Sequence, residues 1–205
     1  MDYIKELESG SSPRIATAAK KIIKNKLTGY CPHLLNALTQ VMKKPQYWNT
    51  QCQVIKAIGM TNCIEGLPLI KEFINQDYEH TVLYKELAFA IFMLENINGI
   101  NLSFLFESID KGNDMQISGC CAALFYKKII PNNDDIKKII IGISPYVENE
   151  GQIITPRCYI AAAAQLWPKE VTKDFLQECK KSKWPGLIDI AENSLLGKIS
   201  KIQLV

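Results

Sequence analysis

Three carboxylates, Glu170, Asp174 and Glu178, recur every fourth residue and so share one helix face. Paired carboxylates divide acid and base roles when a shielded pocket drives their pKa values apart. Here Lys169, Lys173, Lys180 and Lys181 crowd the same segment, the pattern of a solvated helix laced with ion pairs. Histidine is scarcer still. His33 and His80 each stand near an expected helix start, and neither lies within ligand spacing of another histidine or a cysteine. No Gly-rich phosphate loop, nucleophile elbow or zinc pattern occurs. No catalytic residue, cofactor or metal is therefore expected.

Seven cysteines (31, 52, 63, 120, 121, 158 and 179) are an odd number without a Cys-x-x-Cys pair. Several fall where small apolar residues belong, which predicts reduced core thiols in place of a disulfide framework. The vicinal Cys120 and Cys121 are expected to be buried and inert. Five lysine doublets begin at Lys20, Lys43, Lys127, Lys137 and Lys180. Four sit toward helix C-termini, where positive charge is stabilising without a ligand. They are interleaved with acids, not aromatics, so no stacking platform for nucleic acid is implied.

The residue balance is globular: 47% hydrophobic, 22% charged, formal net charge +3 over 205 residues. That charge is too small to imply a nucleic-acid or membrane partner. Arg14 and Arg157 are the only arginines, so bidentate phosphate or guanine reading is disfavoured. No run approaches a membrane span of ~18 apolar residues. The acidic N-terminus does not read as a signal peptide, so the expected location is cytoplasmic.

The elements that must position any site repeat. Alanine-centred helices occur around Ala57, Ala90, Ala123 and Ala163, at steps of 33, 33 and 40 residues, with a looser copy at Ala19, 38 residues before Ala57. After a short polar break each is followed by a more aliphatic helix: Leu34, Leu38 and Val41; Ile70 and Phe73; Leu102, Leu105 and Ile109; Ile136, Ile139 and Ile143; Val171, Phe175 and Leu176. A period in this range marks stacked helical pairs. Gly59 is expected just past the end of its helix, and Asn62 with Glu65 to form a capping box. Residues 1–12 form a polar N-terminal segment, 13–197 the repeats and 198–205 a tail, all in one expected domain.

Between Trp48 and Leu94 the chain resembles the HEAT-like helical repeat superfamily. The residues that carry this are a helix ending Lys-Ala-Ile-Gly59, the start Glu-Gly-Leu-Pro68-Leu-Ile, the inter-repeat Asp77 and the next Ala-Phe-Ala90-Ile. Arg157, six residues before Ala163, looks like the family's arginine, whereas Gln51, Tyr84 and Ile117 hold that place in the middle repeats. The resemblance implies an all-α, right-handed α-solenoid of about five pairs plus a terminal helix, whose second helices line the concave face. That face would present Asn36, Gln40, Lys71, Asn75, Phe104, Glu107, Lys111, Lys137, Asp174 and Glu178. Phe104 lies about 200° around the helix from Leu102, off the buried stripe.

The mixed charges suit a protein partner better than a polyphosphate. The leading expectation is a non-enzymatic scaffold that binds a protein on this face, such as a bacterial immunity protein occluding a toxin. The alternative, which would make the chain an enzyme, is a HEAT-like DNA glycosylase with Trp167 and Trp184 beside Asp174 or Asp189.

Overall fold

The computed structural model describes residues 2–148 and 154–198. Among them the chain is all-helical, with no strand. It divides into two compact units, Met1–Asn101 and Leu102–Val205. The first unit holds α1 (Tyr3–Leu7), α2 (Ser12–Lys24), α3 (Cys31–Val41), α4 (Trp48–Met60), α5 (Leu67–Phe73) and α6 (Val82–Glu95). There α4 packs between α2 and α6, while α3 lies on α4 and α5 on α6. The second unit holds α7 (Ser103–Asp110), α8 (Asp114–Lys127), α9 (Asn133–Ile143), α10 (Pro156–Ala163), α11 (Lys169–Cys179) and α12 (Pro185–Leu195). Here α10 packs between α8 and α12, α7 lies on α8, and α9 meets α11.

The alanine helices are the buried layer of each unit. Ala57, Ala88, Ala90, Ala123, Ala161 and Ala164 are sealed from water, and α6 is buried over most of its circumference, from Leu87 to Leu94. Gly59 corrects the expected helix end. It lies inside α4, which continues to Met60, and a Cβ there would meet the Ala90 Cα at 2.9 Å. Its missing side chain lets two helix backbones approach. The helix stops instead at Asn62, whose φ of 55° is left-handed, so the expected capping box with Glu65 does not form. The segment expected to be only polar, residues 1–12, contains α1. Leu7 is fully buried, and Glu6 receives a fork of hydrogen bonds from Arg14 at 2.7 and 2.9 Å.

Cysteine chemistry departs from expectation at one pair. Cys31 and Cys63 form a disulfide, 32 residues apart with Cα atoms separated by 5.3 Å. The reason is geometric: nearly one sequence period separates them, so the packing of α3 on the turn before α5 aligns the two positions. Closing a loop of this length contributes ~2–4 kcal/mol. Cys52, Cys120, Cys121, Cys158 and Cys179 are free and buried, as core thiols should be. Burial pushes the Cys52 thiol up to about 12 and that of Cys158 to about 11, so both stay protonated at neutral pH. The expected tail, from residue 199 on, lies outside the described residues.

Two outcomes test this packing. Gly59→Ala adds about 1 kcal/mol of helix propensity, but forcing a methyl against the Ala90 backbone costs about 1–3 kcal/mol. The variant should therefore lower the denaturant midpoint; a raised midpoint would show that α4 and α6 do not approach so closely. Glu86, half-buried on α6, has its pKa raised mainly by desolvation, against the opposing charges of Lys56 and Lys85. A raised folded-state pKa means that its contribution is fully present below the unfolded value, near 4.5, and is lost as pH rises through the folded one. Glu86→Gln should therefore raise Tm at pH 7 and lose that advantage below pH ~4. A stabilisation independent of pH would contradict the assignment.

Candidate functional site

In the second unit α9 and α11 flank a cleft of about 880 Å³. The local sequence explains its walls. Asn132 caps α9 by accepting hydrogen bonds from the Asp134 and Asp135 amides at 3.0 and 2.9 Å. Ile136, Ile139 and Ile143 then point into the core, leaving Ile140 half-buried at the cleft and Ile141 73% exposed. Gly142 makes the inward face possible, because a Cβ there would meet the Ile109 side chain at 2.6 Å. On α11, Thr172, Leu176 and Cys179 are buried, while Val171, Asp174, Phe175 and Glu178 line the opening.

The polar floor joins Glu148, just after α9, to Arg157 at the start of α10. Their side chains are only 7% and 9% exposed, with Arg157 Nη1 3.6 Å from Glu148 Oε2. Glu148 also accepts hydrogen bonds from Thr155 Oγ1 at 2.8 Å and Ser182 Oγ at 2.9 Å. Arg157 Nη2 points at Cys179 Sγ, 3.8 Å away. A charge this deep is tolerated only when paired and hydrogen-bonded. The arrangement does that, and it ties three segments into one rigid floor. Burial pushes the Cys179 thiol up to about 11 against the lowering influence of Arg157. It is no nucleophile at neutral pH.

The mouth carries both signs. Glu178 pairs with Lys181 at 2.7 Å, whereas Asp174 and Lys183 have no ion pair among the described residues. A mixed-charge rim around apolar walls suits the docking of a peptide side chain.

Of the ten residues expected on a binding face, the structure brings Asp174 and Glu178 to this cleft. Of the others, Asn36, Gln40, Lys71, Phe104, Glu107 and Lys137 lie on α3, α5, α7 and α9, while Asn75 and Lys111 fall just past the ends of α5 and α7; most are engaged locally. Asn36 accepts from Gln40 at 3.4 Å, and Lys71 pairs with Glu95 at 2.6 Å. Asn75 donates to the Lys71 carbonyl at 2.8 Å. Glu107 pairs with Lys111 at 2.6 Å, and Lys137 lies 3.5 Å from Asp134. Phe104 is half-buried, as is Ile109 of the expected inward stripe.

The lysine doublets are similarly occupied. Lys44 lies over Tyr47 and Lys138 over Phe106, at 5.1 and 4.1 Å from the ring centres, and Lys180 reaches Glu192 at 3.4 Å. Sequence reasoning missed Glu148 and the inward-facing part of Arg157, because a loop carboxylate far from its partner carries no spacing signal. Comparison with family models, with curated proteins and with solved structures finds no match for this chain.

The floor makes a stability prediction. Arg157→Met should cost on the order of 3–5 kcal/mol by leaving Glu148 buried without its counter-charge. Arg157→Met combined with Glu148→Gln should recover much of that loss, since the amide oxygen still accepts from one of the Thr155 and Ser182 hydroxyls and the amide nitrogen can donate to the other. Additive losses in a double-mutant cycle would show that the pair is not coupled.

Proposed function

We propose that this chain is a non-enzymatic binding module, built as a right-handed HEAT-like solenoid, that holds a protein partner in the α9–α11 cleft. The observation that carries this reading is the cleft itself: apolar walls from Ile140, Val147, Val171 and Phe175 around a rigid, charge-neutral floor, with Asp174 open at its mouth. Val147, in the wall, is 59% exposed, so apolar surface is open to a partner there. An apolar anchor residue with a neighbouring basic side chain is the partner chemistry that fits. Occlusion of a toxin by an immunity protein is one form of this role.

The glycosylase alternative draws less support. Trp167 is 2% exposed and donates its indole N–H to the Ile129 carbonyl at 2.9 Å, so it offers no face for stacking on a base. Its neighbour in that reading, Trp184, packs its ring over Gly186.

The test compares wild type with Asp174→Lys/Glu178→Lys, a pair of exposed substitutions, in affinity capture of proteins and in retention on duplex DNA under a salt titration. A protein held by wild type and released by the double variant supports the reading. Equal capture by both overturns the cleft assignment. Retention on DNA with a salt slope of several phosphates overturns protein binding in favour of nucleic acid.

A further inference from the structure

At the start of α3, the Cys31 sulfur lies 3.2 Å from Glu65 Oε2, and the two cysteine sulfurs and a Glu65 oxygen fall within 4.8 Å of one another. A cystine sulfur has no hydrogen to offer a carboxylate, so this contact gains nothing in the oxidised form. Once the pair is reduced, the same spacing serves a thiol donating to Glu65 or a cation shared among the three groups.

Several features build the cluster. Cys31 is the first residue of an 11-residue helix, where the helix dipole favours a thiolate. Cys63 is 2% exposed and fixed by its amide, which donates to the Ile58 carbonyl at 3.1 Å. Gly66 lets this turn close down: a Cβ there would meet Leu35 and Ile58 at 2.9 Å and the Cys63 sulfur at 3.6 Å. Glu65 is exposed and Cys31 half-exposed, so the cluster opens to solvent on one side.

We propose that the dithiol form of Cys31 and Cys63, with Glu65, binds one thiophilic divalent cation of the Zn²⁺ class, a water filling the fourth position. With Zn–S near ~2.3 Å and Zn–O near ~2.0 Å, a tetrahedral ion holds sulfur and oxygen about 3.5 Å apart, close to the spacing between Cys31 and Glu65. Two thiolates and a carboxylate with one open position form a ligand set that zinc accepts. The dithiol arises when a cellular dithiol attacks the cystine: the S–S bond breaks, two electrons and two protons pass to Cys31 and Cys63, and the reductant leaves as its own disulfide. Metal binding then releases the two thiol protons. The ligands are 32 residues apart, which is why no zinc motif is visible in the sequence.

The experiment uses the full chain, reduced and freed of metal, titrated with Zn²⁺ against a chromophoric chelator and with Co²⁺ for thiolate-to-metal charge-transfer absorption. One ion per chain is expected, with the charge-transfer band present. The cystine form should bind none. Cys31→Ser should lose the band and the tight binding. Glu65→Gln, an exposed substitution that leaves the core intact, should weaken affinity by more than the roughly 10-fold that loss of an outer-shell partner produces. Zinc bound equally well by the cystine form or by Cys31→Ser overturns the site. So does absence of zinc binding in reduced protein whose helical circular dichroism is unchanged, and unaltered affinity in Glu65→Gln removes the carboxylate from the ligand set.

Discussion

Close approach of helix backbones is the constraint on which the rest of each unit depends. In the first unit the point of contact is Gly59 against Ala90. In the second, α8 packs on α10, and both helices are rich in small buried residues, Cys120, Cys121, Ala123 and Ala161 among them. Small residues here leave no slack, because interiors are close-packed and a single extra methyl group is felt. Once the alanine helices are set at this separation, the more amphipathic helices can only lie across them with one aliphatic stripe inward. That fixes which side chains face out.

Several of the polar side chains in or near the core pin junctions between segments. Gln51 donates from one amide nitrogen to the Val41 and Lys44 carbonyls at 2.9 and 3.0 Å, tying the end of α3 to the start of α4. Ser194 donates to the Ala161 carbonyl at 2.7 Å, and Lys169 reaches the carbonyls of Ala164 and Ser194. These contacts add a side-chain donor to carbonyls at or near helix ends, most of which also accept a backbone N–H. The Arg157–Glu148 floor follows the same logic with full charges. What distinguishes it is its position beneath an open cleft.

Much of the fold was legible because its signals are periodic. Alanine steps, aliphatic stripes and proline at helix starts each report local geometry, and Pro13, Pro32, Pro68, Pro156 and Pro185 all fall in a first helical turn. What escaped was set by contacts between segments. Gly59 reads as a helix stop in one dimension and is a packing notch in three. The Cys31–Cys63 link was hidden by the odd cysteine number and the 32-residue separation. Asp174 and Glu178 could be placed on one face of α11, but the wall opposite them belongs to α9, and no sequence spacing reports that.

The cystine has a further consequence for how the first unit comes apart. Stability is not uniform across a fold, and helices near a chain end ordinarily open before the interior. Here a covalent bond fastens the start of α3 to the segment entering α5. α3 cannot open alone, because moving it away drags the turn that leads into α5. Amide hydrogens of α3 and of the Ile64–Gly66 turn then exchange as one cooperative group.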